Sequence, residues 1–101
     1  MQLPIFRQAL EKVLPVQIVD DVLMKAYTFQ DAKNQVRKAR AQYGTVKLER
    51  EADAMWEQII ANILVSMQGY PDADILKQLA DADFIESLNE MLEEVTFDEQ
   101  Q

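Results

Sequence analysis

Six of the ten basic residues in this 101-residue chain fall in one 18-residue window, "KNQVRKARAQYGTVKLER", from Lys33 to Arg50. The formal net charge of the whole is -8, and after Arg50 only Lys77 is cationic. Residues 1–50 carry nine cations and five acids, whereas residues 51–101 carry one cation and thirteen acids. Such a split between halves points to a surface that meets a charged partner or to pairing between the halves.

Three chemistries suit the window. Its cations can pair with the acidic half, within one chain or between subunits, selecting partner and register more than adding stability, since exposed pairs contribute only about 0–1 kcal/mol each. They can contact phosphates, with Tyr43 free to stack on a base, although the acidic half would repel the same polyanion and no nucleic-acid motif is present. Or the window serves folding alone, and the acids Asp81, Asp83, Glu86, Glu90, Glu93 and Glu94 form a phosphate-like surface that occupies a basic groove on another protein. The first is the preferred reading.

Catalysis is disfavoured. The chain has no histidine and no cysteine, which removes the commonest acid–base group, both familiar triads, disulfides and the usual ligands of zinc, haem and iron–sulfur clusters. Any metal would be a hard cation on carboxylates. Two carboxylate patterns qualify for inspection. Glu49, Asp53 and Glu57 line one helical face at four-residue spacing, but di-iron bundles add Glu-x-x-His, so a solvated stripe facing the basic helix is expected. Asp72, Asp74, Asp81 and Asp83 come from the repeat "DADILKQLA" and "DADFIESLN", read as two helix starts capped by aspartate, with Asp83 and Glu86 at capping-box spacing. No metal and no cofactor is expected, and the chain is not read as an enzyme.

The elements that must position these groups are helical. Two glycines, three prolines and an apolar fraction of 49% suit a folded all-α chain better than a sheet. A first helix is expected over 1–14 and stops at Pro15. Across Val16–Tyr43, Val22, Phe29, Val36 and Tyr43 recur every seven residues, with Ile18, Lys25, Ala32 and Ala39 between them, an a/d seam weakened by a lysine and two alanines. "TFQD" could restart the helix near Thr28. Lys33 and Arg40 flank that seam and Arg37 lies just outside it.

Gly44 is expected to end this helix in a tight turn and Thr45 to cap the next, Val46–Gln68. That helix becomes apolar nearly all round at Ile59, Ile60, Ile63, Leu64, Val65 and Met67, which marks it as the surrounded centre. "GYP" closes it, and Phe84–Val95 forms a last helix, with "TFDEQQ" fraying beyond it.

The expected fold is therefore one all-α domain over 1–101, a four- or five-helix bundle. A long antiparallel helical hairpin spans 15–68 and turns at residue 44. An acidic helical pair covers 71–96 and a frayed tail 97–101. The core should hold Ile59, Ile60, Ile63, Leu64, Leu88 and Met91.

The expected function is a non-catalytic protein–protein interaction module, such as a small adaptor, assembly factor or chaperone-like accessory protein. It is expected to self-associate through the seam and to engage a protein partner of unknown identity through Phe29, Lys33, Val36, Arg37, Arg40, Tyr43 and Trp56. The alternative is an acidic inhibitor or nucleic-acid mimic, a role small viral proteins fill. The second alternative is a nucleic-acid-binding regulator that uses the 33–50 window. No stretch is apolar over a bilayer's width and "MQLPIFRQALEKVLP" lacks the pattern of a leader, so a soluble cytoplasmic chain with no membrane contact is expected.

Overall fold

The computed structural model describes residues 1–97. Five α-helices account for most of them: α1 Leu3–Val13, α2 Val16–Gln35, α3 Thr45–Val65, α4 Asp72–Leu79 and α5 Ala82–Glu93. A single 3-10 turn, Ala39–Ala41, lies between α2 and α3, and no strand occurs among the described residues. No described helix is long and apolar enough to cross a membrane. The molecule measures 49 × 25 × 24 Å.

Proline and glycine set most of the boundaries. Pro4 sits in the first turn of α1, where no amide bond is lost, and Pro15 separates α1 from α2. Pro71 precedes α4, and Gly69 adopts φ +92° in the turn after α3, a conformation that a side chain would strain. Asp81 caps α5 by accepting a hydrogen bond from the Asp83 amide at 2.9 Å. The cap is thus Asp81 itself, rather than a box built on Asp83 and Glu86. Asp72 and Asp74 occupy the first turn of α4 without capping it, where their charge opposes the helix dipole.

One apolar core draws on every helix. Phe6 and Leu10 of α1, Val22 of α2, Trp56, Ile60 and Ile63 of α3, Ile75 and Leu79 of α4, and Leu88 and Leu92 of α5 are all buried in it. Each residue comes from the inward stripe of an amphipathic helix. The most extensive helix contact is α2 with α3; α1 packs on α3 and α4, and α5 on α2 and α4.

Several expectations are corrected here. The helix from Val16 does not reach Tyr43: it runs unbroken through Thr28 and stops at Gln35. The seven-residue seam therefore does not exist as one stripe, because Val22 is core, Val36 is 85% exposed and Tyr43 lies beyond the helix. The connection is not a tight turn at Gly44. It occupies residues 36–44, with Gly44 as an extended N-cap at φ -81° and Thr45 as the first helical residue, making no side-chain cap.

Helix α3 is not surrounded. Its buried face holds Leu48, Ala52, Trp56, Ile60 and Ile63, while Val65 is 58% exposed. Among the expected core, Ile60, Ile63 and Leu88 are buried, Ile59 and Leu64 are half-buried, and Met91 is exposed. The expected frayed tail is corrected at Phe97, which is half-buried and packs on the core; its remainder, 98–101, lies outside the described residues.

Candidate functional site

The basic window begins on α2 and runs through the connection into α3. Asn34, buried near the end of α2, holds the connection in place: its Nδ2 donates to the Tyr43 carbonyl at 3.0 Å and its Oδ1 accepts from the Tyr43 amide at 2.8 Å. Gln42 adds a bond from Nε2 to the Arg37 carbonyl at 3.2 Å. With its backbone fixed, the Tyr43 ring lies beneath two cations, the Arg37 guanidinium at 4.3 Å and the Lys47 ammonium at 4.6 Å from its centroid. Cations are drawn to the negative face of an aromatic ring. The ring proposed for base stacking is thus already packed under this chain's own cations.

No acid pairs with the window among the described residues. The side-chain ion pairs converge instead on Arg7 of α1, which reaches Asp53 at 2.6 Å, Glu57 at 3.0 Å and Glu11 at 3.3 Å. The Asp53–Glu57 part of the α3 stripe therefore faces α1 rather than the basic helix, and Glu49 lies outside the cluster. Hydrogen bonding to Asp53 raises the Arg7 pKa still further above its ordinary range, and the same bond holds Asp53 below its ordinary value. No group of three or more metal-ligating side chains occurs among the described residues.

Trp56, read from the sequence as core or interface, lies in the core. It is fully buried, and its Nε1 donates to Glu11 at 2.8 Å, so the Arg7 cluster also satisfies the indole. Val36 and Arg40 are exposed on the connection. The acids Asp81, Asp83, Glu86, Glu90, Glu93 and Glu94 are all exposed on or beside α5. None forms a salt bridge among the described residues.

A wide concavity lies elsewhere, between α2 and the C-terminal end of α5. It encloses about 970 Å³, with Ile18, Met24, Phe29 and Ala32 on one wall and Leu92, Thr96 and Phe97 on the other. Phe29 and Phe97 meet across it with ring centroids 6.1 Å apart and planes tilted by 48°. Asp21, Lys25 and Glu93 supply its polar edge. Lys25 donates to the carbonyls of Glu93 at 3.1 Å and Val95 at 3.0 Å, stitching the end of α5 to α2. Lys33 lies over the Phe29 ring at 5.2 Å.

Of the expected interaction residues, the structure brings Phe29 to this groove, with Lys33 over its ring, and gathers Arg37 and Tyr43 at the connection. Sequence reasoning missed Met24, Leu92 and Phe97. Ile18, Lys25 and Ala32 were visible as the weaker half of the seam, and that weakness is the signal: a stripe of small and polar residues beside Phe29 leaves a hollow where large residues would have closed it. Comparison of the chain with family models, curated proteins and solved structures finds no match.

Proposed function

We propose that this protein is a non-catalytic protein–protein interaction module whose docking site is the groove between α2 and the end of α5. In this reading the chain is a single helical bundle in which α2 and α3 form an antiparallel pair. The contact of Gln30 Nε2 with the Met55 sulfur at 3.1 Å supports that pairing. The observation that carries the functional reading is the groove itself. It is largely apolar along both walls, and Met24 at its edge is 67% exposed on the side of α2 opposite the buried Val22 and Ala26. Methionine's flexible thioether is suited to surfaces that adapt to a partner.

The volume is at the upper end for a small-molecule pocket, yet the groove lies open beside α2 rather than engulfing a ligand, which favours a polypeptide occupant. Self-association through a continuous seam loses its basis once α2 stops at Gln35. The exposed acids of α5 support the acidic half as the side presented to a partner. A photoreactive residue at Met24, compared with one at exposed Val65 on α3, tests the reading in cells that express the protein. A discrete protein adduct from Met24 alone is expected; adducts from neither position, or the same adducts from both, would overturn it.

A further inference from the structure

The groove also carries information about what fits it. Its α2 wall extends from Ile18 to Ala32, about 21 Å along a helix at 1.5 Å per residue, the length of roughly four helical turns. Its charged edge is predominantly acidic, with Lys25 the one cation among the lining residues. Asp21 and Glu93 line it, and Asp20, Glu90 and Glu94 are exposed close by in sequence on the same two helices, none in a salt bridge among the described residues.

Both cations at this face are turned onto groups of their own chain: Lys25 onto the Glu93 and Val95 carbonyls, Lys33 onto the Phe29 ring. An apolar trough with an acidic margin complements a helix that has an apolar stripe and basic flanks. We infer that the occupant of the α2–α5 groove is a basic amphipathic helix of a partner protein, about four turns long. This rests on the groove being a docking site, as proposed above.

The test is an NMR titration of the isotope-labelled full chain with three peptides of about 14 residues, the span estimated above: a leucine–lysine amphipathic helix, its leucine–glutamate counterpart, and the leucine–lysine composition in scrambled order. The basic amphipathic peptide is expected to shift the resonances of Met24, Thr28, Phe29 and Leu92. It should bind at least ~10-fold more tightly than either of the others, and weaken in 0.5 M salt. The double variant D21K/E93K should lose that advantage. D74K/E49K, with the same change in net charge on helices away from the groove, should keep it, and circular dichroism verifies that both variants are folded.

Equal loss in the two variants would reduce the effect to bulk charge and overturn the inference. Groove shifts of equal size from the acidic peptide would overturn the partner chemistry while leaving the docking site standing. If light scattering found a dimer that Met24→Ser dissolved, the occupant would be a second copy and the inference would fail. If no peptide moved the groove resonances, this inference would fail, and crosslinking from Met24 would decide the docking site separately.

Discussion

Asn34 and Tyr43 are joined by two hydrogen bonds in which one side-chain amide serves both backbone groups of the other residue, at 2.8 and 3.0 Å. The amide thereby replaces the partner strand or helix that a nine-residue connection lacks. Asn34 is only 6% exposed and both bonds are part-buried, so water can replace the amide only in part. Replacing it with alanine leaves both unpaired and should cost about 2–3 kcal/mol. Urea denaturation would show the loss, and hydrogen exchange would show the Tyr43 amide released first; an unchanged midpoint would contradict the role given to this pair.

Arg7 holds three carboxylates and, through Glu11, the buried indole of Trp56. Arg7→Met keeps the apolar stem but leaves those acids crowded without a cation, at an expected cost of about 1–2 kcal/mol for partly exposed pairs. The cost should depend on pH. Asp53 is held below its ordinary value of 3.8 by Arg7, so its contribution is present above that value and fades as the pH falls through the lower folded one. Thermal melts of the two proteins should differ most near neutrality and converge in the acid limb. A constant difference across that range would mean that packing, rather than the ion pairs, accounts for the loss.

Trp56 is the chain's one tryptophan and is fully buried. Its emission should be blue-shifted and poorly quenched by acrylamide in the native state. Trp56→Phe removes the bond to Glu11 and opens space in the core that Trp56 shares with Phe6 and Ile60, with an expected destabilisation of about 2–3 kcal/mol. A red emission maximum in the native protein would remove it from the core.

The α-helical class and the break at Pro15 could be read from the chain because such signals act locally; the Gly69–Pro71 turn and the aspartate start of α5 were visible too, but α3 ends at Val65 rather than Gln68 and α5 starts at Ala82 rather than Phe84. The end of α2 could not be read. The seven-residue spacing continues through Val36, and only the long-range claim of Asn34 on Tyr43 shows that the backbone has already left the helix. The α3 stripe was visible as Glu49, Asp53 and Glu57, but its partner is Arg7, 46 residues from Asp53, and spacing says nothing about pairings across such distances. The groove was legible only in the negative, as Ala32 and Lys25 where a seam would place large apolar residues.

Lys25 donates to two carbonyls at the end of α5, on the exposed side of the groove. Lys25→Met should leave the global denaturation midpoint nearly unchanged while speeding hydrogen exchange over Val95–Phe97 and broadening the Phe29 and Phe97 ring resonances. Loss of global stability in step with that exchange would show instead that the segment unfolds only with the whole protein.

The two walls of the groove therefore differ in kind. One is an uninterrupted twenty-residue helix anchored in the core through Val22 and Ala26. The other ends in non-helical chain held by the Lys25 ammonium, the Phe29–Phe97 contact and the packing of Val95 and Phe97 on the core. Its Lys25 hydrogen bonds face solvent and its two apolar residues are only partly buried, which places the segment below the core helices in local stability. The width of the groove is accordingly a soft coordinate: the far wall can swing outward at a fraction of the free energy of unfolding, while α2 keeps its register as a fixed ruler. Occupants that differ in girth can then share one site, and they are told apart by length and charge along α2 rather than by tight closure around them.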